Sequence, residues 1–169
     1  CIISGETLLD WHEQRTLLKL HVDTNLHSAE IICGAPYGVQ RRSIRPQIVY
    51  QKAMIEFAFQ QFAYWQDDIT PGLKWPAIAL YSQSKYGISA KESSIAVSLL
   101  KTPRFVSPDR KYAELDDDYI DRSKYSDQGF HRIPWAIELF DHLPSNSEVV
   151  RHAYEYNTPL LVTPSNAVH

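Results

Sequence analysis

The chain has 169 residues, of which 44% are hydrophobic, 22% charged and 12% aromatic, with a formal net charge of −3. These values are typical of one globular domain or of a large piece of a longer protein. The weak negative charge gives no attraction to nucleic-acid phosphates or to anionic lipid. The sequence contains no run of about 18 apolar residues, the length that a helix needs to span a bilayer. We therefore expect neither nucleic acid nor a membrane as a partner.

The cysteines and the start of the sequence bear on its location. Cys1 and Cys33 are too few for a disulfide framework, and no basic segment followed by an apolar one marks a secretion signal. These features favour the cytoplasm. The sequence opens with CIISGETLL and lacks an initiator Met, so we expect the native chain to begin upstream. Cys1 as an N-terminal nucleophile or splicing residue is an alternative that we disfavour.

Alternating apolar and polar residues, rich in β-branched and aromatic side chains, predict about seven mostly antiparallel strands. The first two are ETLLDWHE and RTLLKLHVD. A third, AEIICGAPYGVQRRS, contains Gly34 and Pro36, which indicate a bulge or an edge kink. AMIEFAFQQFAYWQD predicts one further strand, although its alternation is imperfect.

The next two segments, PAIALYSQS and SSIAVSLLK, predict one hairpin that turns near Lys85, Tyr86 and Gly87. FHRIPWAIELF closes the series, and its Pro134 indicates an edge or bulged position because proline cannot donate a ladder hydrogen bond. We therefore predict a mainly β fold, an antiparallel β-sandwich that extends over residues 1–143.

A helix is predicted after Pro144, where a Ser-Asn-Ser-Glu sequence provides a capping side chain and an acidic first turn. Its apolar face would consist of Val149, Val150, Ala153 and Tyr154, and it should end before Pro159. Residues 144–169 are therefore predicted to form one short C-terminal helix and an exit linker toward a further β segment.

No complete catalytic or metal-binding motif occurs in the sequence. His12 begins a zinc H-E-x-x-H pattern, but Thr16 stands where the second His is needed. Asp116–Asp118 resemble the start of a calcium loop, which fails because Ile120 and Asp121 occupy key positions of that motif. Glycine-rich phosphate loops and G-x-S-x-G elbows are also missing. We predict no catalytic residue and no metal ligand in this chain.

The long acidic segment 104–126 allows three interpretations. Loops longer than about 15 residues are usually functional or disordered. Tyr112, Tyr119 and Tyr125 alternate with aspartates, and sugars bind through carboxylates that accept hydroxyl hydrogen bonds and through rings that stack on their apolar faces. A solvated surface loop, a carbohydrate site and a cation site all stay open.

Six segments occur in an order that is informative as a series. LLDWHEQRTLLK, PYGVQRR, ALYSQSKYG, IAVSLLKTP, DQGFHRIPWAIEL and SEVVRHAYEYNTPLLV follow one another along nearly the whole chain. This series resembles family 38 of the glycoside hydrolases, the α-mannosidases. Ser82–Ser84 and Phe130 depart from the residues usual in that family.

The resemblance implies a retaining, zinc-dependent α-mannosidase whose zinc ligands and nucleophilic Asp lie in an N-terminal α/β domain, outside this chain. Retention requires two carboxyl groups roughly 5 Å apart. This chain would belong to the C-terminal β-region, of the galactose-mutarotase-like supersandwich kind, and would be inactive alone. Its partners would be the catalytic domain of the same enzyme and a mannose-containing oligosaccharide. A homo-oligomer is compatible with this prediction.

The resemblance also implies four candidates for the rim of the sugar site: Asp127, Gln128, Gly129 and His131. Gly129 would let the backbone turn tightly before the last strand. His131 would either bond a sugar hydroxyl or be satisfied within the sheet, and we favour the second interpretation.

Two other functions remain as alternatives. A stand-alone carbohydrate-binding module would need an exposed aromatic platform, for which Trp65, Trp75 and Trp135 are candidates. Packing in the core or at a domain interface is the competing interpretation of these rings, because Trp is usually largely buried. A purely structural sandwich in an unrelated assembly is the third hypothesis.

Overall fold

The computed structural model describes residues 1–45, 49, 56–67, 69–91, 93–103, 125–158 and 160. Within these residues the chain forms ten strands and one helix. They are β1 (Ile2–Trp11), β2 (Leu17–Asp23), β3 (Glu30–Ala35), β4 (Gly38–Ser43), β5 (Glu56–Ala58), β6 (Phe62–Gln66), β7 (Ala77–Ser82), β8 (Gly87–Lys91), β9 (Ser94–Lys101), β10 (Gly129–Phe140) and α1 (Asn146–Asn157).

The strands form two antiparallel sheets that pack face to face. One has six strands in the order β1-β10-β7-β6-β3-β4, and the other has four in the order β2-β9-β8-β5. Apolar side chains from both sheets fill the space between them, among them Trp65, Leu80, Ile88 and Val97, each no more than 2% exposed. The predicted mainly β sandwich with one short helix is confirmed.

Helix α1 covers part of the outer face of the six-stranded sheet. It is capped by Ser145, whose Oγ accepts a hydrogen bond from the Glu148 backbone N–H. Val149 and Ala153 are fully buried against this sheet face. The predicted helix is thus confirmed, but Tyr154, predicted on its apolar face, is 55% exposed.

A buried polar cluster joins α1 to the sheet beneath it. The Tyr81 hydroxyl donates to Glu138 Oε2 at 2.5 Å, and His152 Nδ1 on the helix lies 2.9 Å from the same oxygen. Tyr64 on β6 donates to the Asn146 side chain at the first helical residue. Glu138 is only 6% exposed, and its contacts with Tyr81 and His152 offset the free-energy cost of burying its carboxylate.

Two segments predicted as single strands are each broken. AEIICGAPYGVQRRS is the hairpin β3–β4, which turns where Tyr37 has a φ of 67°. The described part of AMIEFAFQQFAYWQD divides into β5 and β6, which belong to different sheets, and Gln61 between them has a φ of 63°. A left-handed residue interrupts the extended backbone, and together with the pairing this excludes one continuous strand at both points.

The predicted pairing of the middle strands is also wrong. β7 pairs with β6 and β10, whereas β9 pairs with β2 and β8, so the hairpin is β8–β9. β10 is an interior strand and not an edge, contrary to the interpretation of Pro134. The pairing of β10 with β7 begins at Trp135, so the missing N–H of Pro134 costs no hydrogen bond to β7.

Candidate functional site

Five strand connections lie together at one end of the sandwich, which we name the loop end. They are residues 12–16, 36–37, 59–61 and 83–86, together with residues 102–103 and 125–128 of the connection after β9, and each follows an odd-numbered strand. The strand registers bring them together, since Trp11 lies opposite Gly129 and Leu17 lies opposite Lys101. The described residues that directly follow the even-numbered strands lie at the other end, which we name the opposite end.

The loop end gathers the unusual backbone conformations of the chain. Among the described residues, positive φ angles occur at four that are not glycine, namely Arg15 (52°), Tyr37 (67°), Gln61 (63°) and Asp127 (54°), each in a different loop-end connection. In the part of the chain that the structure describes, no such residue lies at the opposite end. Conformations of this kind persist only where their surroundings fix them, and they cluster at functional sites.

The four predicted rim residues form one turn of the loop end. Asp127 is exposed, and its carbonyl accepts a hydrogen bond from His131 Nε2 at 2.9 Å. Gln128 Nε2 donates to the carbonyls of Glu13 at 2.8 Å and Ser126 at 3.2 Å. Gly129 has a φ of 102°, which favours glycine. His131 thus bonds its own turn, and a role of this turn at a sugar rim stays a prediction.

Thr102, at the end of β9, holds the neighbouring connection in place. It is fully buried, and its Oγ1 accepts from the Thr16 backbone N–H at 3.0 Å. Its carbonyl accepts from the Arg15 N–H at 2.8 Å. Hydrogen bonds to Thr102, which directly follows β9, therefore hold the left-handed Arg15 and its neighbour Thr16 in place.

Lys85, predicted from the sequence only as part of a hairpin turn, adds a positive charge to the loop end. It lies in the β7–β8 connection, is half-buried, and its backbone N–H donates to Ser82 Oγ at 3.1 Å. Burial lowers the pKa of Lys85, while the nearby Asp127 carboxylate opposes that shift. The loop end therefore combines a partly desolvated ammonium group with an exposed carboxylate, a pair suited to binding polar groups.

Groups for bond-breaking chemistry are scarce in the described ranges. No cluster of three or more His, Cys, Asp or Glu side chains among them could hold a metal ion. Burial raises the pKa of Cys33 to about 12, so its thiol stays neutral and is a poor nucleophile. Residues 104–124, which carry most of the proposed sugar or cation segment, lie outside the described residues, and Tyr125 is 7% exposed and offers no open ring.

The three tryptophans proposed as an aromatic platform do not form one. Trp65 is 2% exposed in the core. Trp135 is half-buried over Gly5 and donates from Nε1 to Thr7 Oγ1 at 3.1 Å. Trp75 is half-buried at the opposite end, with the Lys74 ammonium 5.3 Å from its ring centre. Packing is the interpretation that fits these side chains.

No helix in the described part of the chain is long and apolar enough to cross a membrane.

Comparison with known proteins supplies the family. A profile of the glycosyl hydrolases family 38 C-terminal domain matches residues 3–118. Human alpha-mannosidase 2C1 is 26% identical over 160 residues, which are 94% of this chain and 13% of that protein. The chain therefore spans about an eighth of the length of this curated relative.

Two solved structures share the fold. An alpha-mannosidase from Enterococcus faecalis V583 superposes with a TM-score of 0.71 at 13% identity, covering 94% of this chain and 16% of that one. A family 38 glycosyl hydrolase from Enterococcus faecalis gives 0.68 at 14% identity, with 94% and 17% covered. With the profile match over more than half of its length, this chain belongs to the family of glycosyl hydrolase family 38 C-terminal domains.

Proposed function

We propose that this chain is the C-terminal β-domain of an α-mannosidase that hydrolyses terminal α-D-mannosides of mannose-containing oligosaccharides. The loop end faces the catalytic domain of the same polypeptide, and Asp127, Gln128, Gly129 and His131 contribute to the rim of its sugar site. The observation that carries this proposal is the concentration of four left-handed non-glycine residues at that one end. Family membership supports the reaction class.

We extend the proposal to a zinc-dependent, retaining enzyme, as the sequence resemblance implies. The residues described in this structure do not fit a zinc site, because they bring no three ligands together. The metal would be bound elsewhere in the longer polypeptide, and we derive no step through it. Metal analysis of the full-length protein and NMR assignment of the first anomer released test both parts.

The cytoplasm is the proposed location. Cys1 is an exposed free thiol and Cys33 a buried one, which supports a reducing compartment. Fractionation of cells that express the tagged full-length protein tests this placement, and recovery in the secreted fraction would contradict it.

The first experiment separates the domain from the enzyme. An aryl α-mannoside is assayed with zinc, using the full-length protein encoded by the gene and the 169-residue chain in parallel. We expect turnover by the full-length protein only. Turnover by the chain alone would show that it carries its own reactive groups, and the supporting role would be wrong.

The second experiment tests which end meets the substrate. In the full-length protein, Asp127→Asn preserves a residue that tolerates a left-handed backbone, and His131→Ala removes the imidazole. We expect KM for an oligosaccharide to rise severalfold, with a smaller change in kcat. Lys74→Ala, at an exposed position of the opposite end, is the control and should change neither constant. An effect of the control alone would reverse the assignment of the two ends.

A further inference from the structure

A separate cavity of about 230 Å³ opens at the loop end, and none of the four rim residues lines it. Three elements enclose it: the β3–β4 turn, the β5–β6 connection and helix α1. We name it the tyrosine pocket. The residues used below are Tyr37, Gln60, Gln61, Phe62, Val150 and Tyr154, all of which line it.

Two aromatic rings stand open at this pocket. Tyr37 is fully exposed (109%) at the tip of its turn, and Tyr154 is 55% exposed on the helix. Phe62, only 3% exposed, and the half-buried Val150 supply apolar surface between them. Exposed rings of this size add nothing to the core of the domain, and they offer flat faces on which the C–H groups of a ligand can pack.

Polar groups of the same residues are left without partners. Among the residues that the structure describes, the hydroxyls of Tyr37 and Tyr154 make no hydrogen bond, and neither do the side-chain amides of Gln60 and Gln61. Each of these groups can both donate and accept. The pocket therefore combines apolar surface with several two-way hydrogen-bonding groups, as a ligand with many hydroxyl groups requires.

The charge and size of the pocket narrow the ligand further. None of the residues that line it is ionisable at neutral pH, so it offers no counter-charge to a phosphate, a carboxylate or an amine. Its volume of about 230 Å³ lies below the roughly 300 Å³ at which pockets for drug-sized ligands begin. A single small neutral ring fits these limits, whereas an extended chain does not.

The pocket is also fixed before any ligand arrives. The Gln60 backbone N–H donates to the Gly34 carbonyl at 2.9 Å, which ties the β5–β6 connection to β3. The backbones of Tyr37 and Gln61 are both left-handed, so both sides of the cavity are set by the fold. A preformed site loses less conformational entropy on binding.

We propose that the tyrosine pocket binds one neutral sugar ring, an outer mannose unit of the oligosaccharide, through stacking on Tyr37 and Tyr154 and hydrogen bonds to Gln60 and Gln61. The choice of mannose rests on the proposed function. The existence of a site for a neutral hydroxylated ring rests on the pocket alone.

The test is NMR titration of the full-length protein with methyl α-D-mannopyranoside. We expect shifts of the Gly34 and Gly38 backbone amides and of the Gln60 and Gln61 side-chain amides. Tyr154→Ala should weaken binding tenfold or more, and Tyr37→Asn, which suits a left-handed turn, should do the same. Tyr86→Ala is the matched control, because Tyr86 is 58% exposed at the same end but does not line the pocket.

Shifts confined to the pocket, lost in Tyr154→Ala and kept in Tyr86→Ala, support the proposal. Absence of shifts in the unmodified protein overturns it, as does a pocket filled by another segment of the full-length chain. Because the unmodified protein reports the site directly, a variant that fails to fold does not decide the matter. If the full-length protein hydrolyses mannosides but shows no pocket shifts, this inference is wrong and the proposed function stands. If it shows pocket shifts but hydrolyses no mannoside, the site for a neutral sugar ring stands and the proposed function is wrong.

Discussion

The two ends of the sandwich hold their connections in different ways. At the opposite end, the β6–β7 connection is organised by the carboxylate of Asp67, which is 2% exposed. It accepts from the backbone N–H groups of His27 (2.8 Å), Ile69 (3.0 Å) and Thr70 (2.9 Å) and from the Thr70 hydroxyl (2.9 Å). At the loop end, strained residues stand beside groups without partners. One end is built for stability, and the other retains strain of the kind found at binding sites.

A cavity alone does not distinguish the ends. The opposite end has a larger cavity, of about 380 Å³, lined mainly by apolar residues such as Leu26, Ile78 and Leu139. Its aromatic residue, Trp75, already has the Lys74 ammonium 5.3 Å from its ring centre. The loop-end pocket is smaller, but its rings and amides are open. The two cavities are therefore distinguished by their exposed rings and unpaired amides, and not by their volumes.

The largest expected effect comes from Gly34, which sets the backbone at the tyrosine pocket. A Cβ added at Gly34 would lie 2.1 Å from the Gln60 carbonyl oxygen and 3.0 Å from the Phe62 ring. Because a backbone atom must move, we expect Gly34→Ala to lower the free energy of unfolding by roughly 3 kcal/mol or more. Chemical denaturation measures this.

Gly38 provides the matched control in the same hairpin. A Cβ there would meet nothing within 4 Å. Gly38→Ala should therefore change stability by less than about 0.5 kcal/mol. Equal losses in the two alanine variants would show that the close approach of β3 to Gln60 is not what holds the loop end.

The next effect lies at the opposite end. Burial raises the pKa of Asp67, but its hydrogen bonds from His27, Thr70 and Ile69 outweigh this and lower it to about 2. The charged form therefore stabilises the fold above the unfolded pKa, and on the order of 2 kcal/mol is lost as the pH falls from about 4 to about 2. Asp67→Asn should lose a similar amount at neutral pH and flatten this dependence. Thermal denaturation at several pH values measures both changes.

Asp23 is the control for that carboxylate, because it is exposed at the same end. Asp23→Asn should leave the acid dependence of stability intact. If the two Asn variants flatten it equally, Asp67 is not the group that organises this end.

A smaller effect tests the strain itself. Gln61 has a φ of 63°, a conformation that costs a residue other than glycine about 1 to 2 kcal/mol. Gln61→Gly removes that cost but adds flexibility to the unfolded chain, so we expect stability to stay constant or rise by up to about 1 kcal/mol. Gln40→Gly, in strand β4, has no such strain to relieve and should lose about 1 kcal/mol. Equal losses would contradict the assignment of strain to the loop end.

The smallest effect concerns His142, just before α1. Its ring lies 2.9 Å from Asp141 Oδ1 and 3.2 Å from the Glu148 carboxylate, and these bonds raise the pKa of His142. The stabilisation is present below the ordinary His pKa and is lost as the pH rises through the raised value. NMR titration of the ring should show Glu148→Gln lowering this pKa and Glu155→Gln leaving it unchanged. A pKa indifferent to Glu148 would contradict the contact.

The sequence predicted local features better than long-range ones. Period-two patterns located most strands, and the capping residues located α1, because both depend on nearby residues. The breaks at Tyr37 and Gln61 were missed, since neither is a usual left-handed residue. Which sheet receives β7 depends on tertiary packing, and local alternation is silent on that point.

The candidate site was predicted in part. Resemblance located the turn at Asp127–His131, and the fold brings those residues together. Tyr154 was assigned to the apolar face of the helix, yet it is exposed beside the pocket. Gln60 and Gln61 belong to no motif, and Lys85 belongs only to the ALYSQSKYG segment, which assigns it no role. Only the fold shows that these residues share one end of the molecule.

Helix α1 also sets a practical limit on shortened versions of this protein. Ile32, Tyr64 and Tyr81 form a continuous apolar surface that the helix covers, and each is no more than 3% exposed. A version cut before residue 146 would place these side chains and the Glu138 carboxylate in water. Such a protein should self-associate on a sizing column, whereas one that keeps residues up to 158 should not.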